Sequence, residues 1–341
     1  TVSNGASLDL NGNSFNYPLT LNGMGDNGTG ALKNTSGFQS GLSGGAASLT
    51  LGSDSSIIAS STAGGNLDIN PLLGINGNNH SLVLGGGATN ISRIYLNLNL
   101  GTGNLTKTGL SKWVLMSANT LGNVYVKQGL LIANANGSLG DTTGTTTVDS
   151  GAALSIYGGT VWSEPLLISG AGIDGTTGAL DFNYINGGTY TGAITLNGSA
   201  RISQSFTASA TTVTINTLNY GGYDLVTYKA PNATLTLPAG SPTPKTSYEF
   251  IAYSCTSPCA STYGTAPAAA GYSVYDSTGA AITDASITGT AVFTGVPTST
   301  SAAGSYSIAY SSGLSSTTAA LMQSATPVTW TVNKAHLTVT A

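Results

Sequence analysis

Charge is what this 341-residue sequence has least of: Asp, Glu, Lys and Arg make up 6% of it, against about a quarter in ordinary soluble domains. The nine basic residues are scattered singly and the net charge is −4. That excludes a nucleic-acid surface, which needs clustered Lys and Arg to displace counterions. It also excludes electrostatic capture by anionic membranes. No apolar run reaches the ~18 residues that span a bilayer as a helix, so direct membrane insertion is not expected. No basic start followed by an apolar stretch marks a signal peptide. The first residue is Thr, which suggests a mature segment or a piece of something longer.

Catalytic side chains are equally sparse. The glutamates are Glu164 and Glu249, the arginines Arg93 and Arg201, the histidines His80 and His336. Sugar hydrolysis needs two carboxylates on one face, and a lyase needs Lys or Arg beside a developing anion; the acids and arginines here lie in unrelated phrases. Asp26, Asp54, Asp141 and Asp174 sit beside Gly, Ser or Asn, as turn-forming Asx residues do. Asp26-Asn27-Gly28 and Asp174-Gly175 occupy matching places in a repeat and suggest a corner cation site, but a simple turn is the stronger reading. No nucleophile elbow or phosphate-cradling glycine loop occurs. No catalytic residue, cofactor or metal is therefore expected. Cys255 and Cys259, in YSCTSPCAS, offer only two metal ligands; a local disulfide is expected, which suits an extracellular protein.

What the chain has in abundance is Asn-Gly: residues 4–5, 11–12, 22–23, 27–28, 76–77, 136–137, 186–187 and 197–198. Each dipeptide accommodates the positive φ of a sharp turn. Between them run short apolar–polar alternations such as Leu49/Leu51, Leu67/Ile69, Leu82/Leu84, Val124/Val126 and Leu154/Ile156, the period-two signature of half-buried strands. TVSNGASLDLNG at the start is repeated as TVDSGAALSIYGG at 147–159, and PLTLNGMG as PLLISGAG. In-phase repetition of turn-bounded strands predicts a solenoid whose coils stack inward residues into one core. Residues 1–218 are expected to form a right-handed parallel β-helix of about nine coils, roughly 45 Å at one strand spacing per coil. A Greek-key sandwich is the competing arrangement.

From about residue 219 Asn-Gly disappears and Ala, Thr, Pro and Tyr rise. YKAPNATLTLPA at 228–239 is echoed by NKAHLTVTA at the end. Between them SYEFIAYS, GYSVYD, GSYSIAYSSGL and PVTWTV read as antiparallel strands on two sheets. An immunoglobulin-like β-sandwich is expected over 219–334, with Trp330 in its core and 335–341 as a linker or the first strand of a following module. Trp113, Trp162, Tyr157, Tyr184, Tyr190, Tyr220 and Tyr223 are candidates for a sugar-stacking surface, although packing explains such residues more often.

The stretch GNLTKTGLSKWVLMSANTLGNVYVKQGLLIANANGSLGDTTGTTTVDSGAALSI, residues 103–156, resembles the autotransporter-associated β-strand repeat. Residues 105–109, 113–120, 124–132 and 137–140 stand where that family's pattern places its apolar and glycine positions. Leu121-Gly122-Asn123 departs from it, where the family has an aromatic residue and a Thr-rich turn. The stretch from ITGTAVFTGVPTSTSAAGSYSIAYSSGL to TPVTWTVNKAHLTVTA is similar to MBG-type immunoglobulin-like repeats of filamentous-haemagglutinin-like surface proteins. The resemblances imply a non-enzymatic segment of a large secreted or surface-anchored bacterial adhesin, a rigid stalk and adhesive surface. Its expected contacts are neighbouring repeats or copies of the same protein and cell-surface glycans or proteins. Two alternatives remain: a filament or sheath subunit joined by strand addition through AHLTVTA, and, less favoured, a polysaccharide-degrading β-helix enzyme.

Overall fold

The computed structural model describes residues 1–60, 64–87, 90–158, 161–183, 187–206, 211–255, 258–265, 271–324 and 326–335. The chain divides into two compact units. The first comprises residues 1–197, 201–222 and 228–242, the second 198–200, 223–227 and 243–341.

The first unit is a parallel β-solenoid of about nine turns. Its strands stack coil upon coil, and the stack that begins at Ser14–Phe15, called the third stack, shows the construction best. Ser14–Phe15, Ser40–Gly44, Leu67–Pro71, Ile91–Ile94, Lys112–Leu115, Gly129–Ala133, Ala152–Ile156, Leu180–Phe182 and Gly188–Gln204 pair in succession, all parallel. Because side chains alternate across a strand, one set points inward at every coil. Leu42, Ile69, Ile94, Leu115, Ala133, Ile156 and Phe182 form one such column, and all are buried. Trp113, Leu131, Leu154, Leu180 and Ile202 form another. A fully buried aliphatic side chain contributes roughly 1.5–3 kcal/mol, so the columns supply the bulk of the stabilisation that opposes chain entropy.

The stack formed by Leu82–Gly86, Leu105–Lys107, Val124–Val126, Thr146–Val148 and Leu166–Gly170, called the second stack, carries an exception. Leu84, Lys107, Val126, Val148 and Ile168 are in register, which places a lysine in an aliphatic column. Lys107 is fully buried. Its Nζ donates to the carbonyls of Thr108, Gly109 and Gln128 at 2.8, 2.7 and 3.0 Å, one acceptor for each N–H of an ammonium. Burial pulls its pKa down to about 7, and the three carbonyls act in the opposite sense. Gly109 has φ 65°, and a Cβ there would run into the Gly86 carbonyl of the preceding coil. The Lys-Thr-Gly phrase thus makes a corner: glycine lets adjacent coils approach, and lysine satisfies the carbonyls exposed there.

Polar corners are laddered too. The Asp54 carboxylate accepts the Ser81 N–H at 2.8 Å, and the Ser81 hydroxyl accepts that of Asn104 at 3.2 Å. The Asn104 amide oxygen accepts the Asn123 N–H at 2.8 Å, and Asn123 accepts that of Thr145 at 3.0 Å. Each coil thereby satisfies a backbone donor of the next, which gives the uncharged Asn and Ser residues a structural task. Among the Asn-Gly pairs, Gly5, Gly12, Gly23, Gly28, Gly137 and Gly187 do adopt positive φ. Asn197-Gly198 instead lies inside the continuous strand Gly188–Gln204, where sheet pairing overrides the turn preference. The expected boundary at 218/219 falls within Thr211–Asn219, whose parallel pairing with Ala233–Thr236 carries the solenoid further.

Among the described residues, the second unit contains two four-stranded sheets. Ser247–Tyr253 lies between Tyr272–Tyr275, antiparallel, and Ala319–Gln323, parallel. Gly304–Ser315 pairs antiparallel with Thr288–Thr294 and Val328–Asn333, and the latter pairs parallel with Ala260–Thr262. The pairing is therefore mixed, not antiparallel throughout. Both sheets contribute to two apolar clusters, Ile251–Val274–Tyr310–Leu321 and Tyr253–Ile308–Trp330–Val332. Trp330 is buried, edge-on to Tyr253 at 6.1 Å. Cys255 and Cys259 are joined by a disulfide that packs against the second cluster. The terminal strand expected in AHLTVTA lies, from residue 336 on, outside the described residues.

Leu154→Ala is expected to lower solenoid stability by about 3 kcal/mol through the cavity it opens between Leu131 and Leu180. The outward Thr147→Ala change should cost less than about 0.5 kcal/mol. Denaturation midpoints of the two variants would check this; equal effects would contradict the inward-column arrangement.

Candidate functional site

The outward residues of the third stack are in register just as the inward ones are. One outer column runs Ser14, Gly41, Asp68, Arg93, Val114, Ile132, Ser155, Asp181 and Ser203. It changes character along its length. In the middle, Val114 and Ile132 join Leu130 and Ala153 in an apolar cluster against which Ile173 packs. Towards the C-terminal coils, Asp181 is buried and saturated by the Ser155, Ser203 and Ser205 hydroxyls at 3.0, 2.7 and 2.9 Å. Burial pushes the Asp181 carboxyl upward against those hydrogen bonds.

Towards the N-terminal coils the column opens into a polar cleft of about 500 Å³, within the range of small-ligand sites. Gly41 leaves its floor without a side chain, while Ser43, Asn70 and Tyr95 line it. Asp68 is its hub. The carboxylate accepts from Gln39 Nε2 at 2.7 Å, Asn66 Nδ2 at 3.2 Å and the Tyr95 hydroxyl at 3.3 Å. The Arg93 guanidinium stands 3.7 Å away. Burial pushes the Asp68 carboxyl up, and Arg93, Tyr95, Asn66 and Gln39 partly offset the shift. Across the Asp68–Arg93 pair lies an adjoining cleft of about 450 Å³, lined by Asn66, Asn90, Ile91, Arg93 and Lys112. Lys112 is exposed and has no ion pair among the described residues.

The fold therefore gathers Asp68, Arg93 and Lys112 from three successive coils. Spacing in the chain could not reveal this, because each residue lies in a different phrase; only the coil register brings them together. Among the aromatic candidates, Trp113, Trp162 and Tyr190 are buried. Their indole or phenol groups pack in the interior: Trp113 Nε1 donates to the Gly85 carbonyl at 3.2 Å, and Tyr190 lies edge-on to Phe182 at 6.1 Å. They cannot present a stacking face. Tyr157, half-buried, packs on the apolar cluster; Tyr220 and Tyr223 are half-buried; Tyr184 lies outside the described residues. Tyr95, not singled out from the sequence, is the aromatic residue in the cleft.

The other sequence candidates are dispersed. Asp174 accepts the Thr176 and Thr177 N–H groups at 2.8 and 2.6 Å and the Thr176 hydroxyl at 2.9 Å. These bonds outweigh burial and hold it below the usual carboxylate range. Asp26 begins a short 3-10 turn, Asp26–Gly28. Arg201 donates to the Gly175 and Thr177 carbonyls at 2.9 and 3.1 Å, bracing that same corner. His80 sits 3.6 Å from Asp54 at the surface, and His336 lies outside the described residues. Glu249 is in the second unit, in Ser247–Tyr253. Among the described residues, no three His, Cys, Asp or Glu side chains converge as a metal site would require.

Glu164 is buried at a corner of the solenoid. Its Oε1 accepts the Thr146 hydroxyl at 3.2 Å, and its main-chain carbonyl accepts the Tyr190 hydroxyl at 2.6 Å. Burial, with the Asp141 charge adding to it, pushes the carboxyl up to about 7. No family model, no curated protein and no solved structure matches this chain.

A raised carboxyl pKa means that the folded state holds its proton more tightly than the unfolded chain. The associated stability is intact below the unfolded value of 4.5 and is lost as pH rises through about 7. Glu164→Gln removes that ionisation. The melting-temperature difference between Glu164→Gln and the unsubstituted chain should therefore widen in favour of the variant from about pH 4.5 to pH 7 and stay level above. Thermal melts across this range test it; a difference that does not change with pH would contradict the assignment.

Proposed function

We propose that this chain is a non-enzymatic segment of a large secreted or surface-anchored bacterial adhesin, in which the solenoid is both stalk and adhesive surface. The second unit serves as an MBG-type, immunoglobulin-like module. The observation that carries the reading is the outer column of the third stack, which holds a single carboxylate at the open cleft. The next carboxylate along it, Asp181, is five coils on, about 24 Å at one strand spacing per coil. That is too far for the paired carboxylates of glycoside hydrolysis, which stand about 5–10 Å apart. Asp68 itself is held by three hydrogen bonds and an ion pair, an arrangement that orients a recognition group and leaves no free general base. The resemblance of residues 103–156 to the autotransporter-associated repeat supports a bacterial surface setting for this reading, and the Lys-Thr-Gly and Trp positions of that stretch have clear structural tasks.

The grouping of Asp68, Arg93 and Lys112 favours a second reading, a lyase acting on a charged polysaccharide, since cations beside a carboxylate can stabilise a developing anion. Attachment and turnover separate the two. Beads coated with the purified chain are expected to retain bacterial or host cells above uncoated beads, while the same preparation releases no fragments from neutral or acidic polysaccharides. Sustained fragment release would overturn the non-enzymatic reading, and absence of retention on every cell surface tried would overturn the adhesive one.

A further inference from the structure

We propose that the twin clefts on the third stack bind an extended acidic oligosaccharide, its uronate carboxylates against Arg93 and Lys112 and its hydroxyls against Asp68, Gln39, Asn70 and Ser43. This deepens the adhesive reading by naming a ligand class, and it can fail without that reading failing.

Charge complementarity selects an anion. Two cations face one carboxylate in the clefts, a local positive excess on a chain whose net charge is −4. One of the cations, Lys112, is exposed and has no carboxylate partner among the described residues. Such a cation on an otherwise uncharged face gains most by meeting an anionic ligand.

The lining selects a saccharide. The larger cleft offers hydroxyls, amides and one carboxylate, with little apolar lining beyond the Tyr95 ring. A peptide would need sockets for apolar anchors, whereas a sugar presents the dense, alternating donors and acceptors that Asp68, Gln39 and Asn70 can match. Asp68 is already fixed in place by its three donors, so little ordering remains to be done on binding. Geometry selects an extended chain. The Asp68–Arg93 pair separates the two clefts: Ser43 and Asn70 lie two residues along the strands to one side of it, and Ile91 and Lys112 two residues to the other. With coils about 4.8 Å apart, a linear uronate that reaches both clefts must run diagonally across several coils, which a single sugar ring cannot do. Inorganic anions would use the cation side alone, and nucleic acid would need far more positive charge than two side chains provide.

Titration of the full chain with hexagalacturonate, its fully methyl-esterified counterpart and sodium sulfate tests the assignment by calorimetry. Hexagalacturonate should bind, and esterification should weaken binding by about tenfold. Lys112→Ala should weaken it by about fivefold, and rising salt should weaken it further. Ser43→Trp, which fills the larger cleft, should remove detectable binding, with thermal melting showing that both variants stay folded. If Ser43→Trp does not fold, the exposed Lys112 variant decides. The proposal is overturned if the acid and its ester bind alike, if neither binds, if the folded variants bind as the unsubstituted chain does, or if sulfate displaces the saccharide at equal concentration. Appearance of an ultraviolet-absorbing unsaturated uronide would support the ligand class while replacing the non-enzymatic reading of the protein.

Discussion

Parallel pairing of each coil with the next is the constraint from which the rest of the solenoid follows. Once strands stack in register, any residue is locked above and below its equivalents, and its side chain faces the same way as theirs. An inward position must then be apolar at every coil or must satisfy itself. The columns through Leu42 to Phe182 take the first course. Lys107 takes the second, ending its long stem on three carbonyls that its own corner would otherwise leave bare. A buried cation is tolerable only on such terms. The corner that exposes those carbonyls exists because Gly109 admits the preceding coil closely, so lysine and glycine there are one device.

The same constraint explains how a chain this poor in charge satisfies its backbone. In a solenoid the backbone donors at corners are the groups most at risk of being unpaired. Asn and Ser side chains that accept the next coil's N–H settle them without adding charge, as the run from Asp54 through Asn123 shows. Charges that do occur then stand out. Asp174 and Asp54 are used locally by turns and corners, and Arg201 braces a corner through carbonyls. Asp68, Arg93 and Lys112 differ in that they line open clefts, and in Lys112 no internal task accounts for the charge.

Much of the architecture was legible in the sequence because period-two alternation and an in-phase repeat are local signals. Leu154 and Ile156, Leu82 and Leu84, and Val124 and Val126 all point inward, as their alternation predicts. Legibility failed where tertiary pairing overrides local preference, as at Asn197-Gly198 within a long strand. It also failed in the second unit, where strand segments were visible but the parallel pairing of Ser247–Tyr253 with Ala319–Gln323 was not. Nothing in a strand's own residues encodes which distant neighbour it meets. The cleft was hidden for the same reason. Coil lengths vary, so knowing that Asp68 and Arg93 face outward does not tell that they are adjacent; the aromatic residues that attracted notice, Trp113 and Tyr190, were core residues whose size fits the interior.

The recognition site we propose has a particular strength and weakness. The strand backbone fixes its groups with little freedom to adjust, so Asp68 and its donors are set before a ligand arrives, which favours selectivity. Yet the cleft is polar and solvent-facing, and a single exposed cation contributes little in water. One such cleft alone would bind the proposed saccharide weakly. On the proposed surface protein, many copies presented together would offset that, because a second contact is made at the high local concentration set by the first. Weak, oriented and repeated contacts suit attachment better than catalysis. Catalysis asks for differential stabilisation of a transition state, and a hub carboxylate already committed to three donors and an arginine has little left to change as a reaction proceeds.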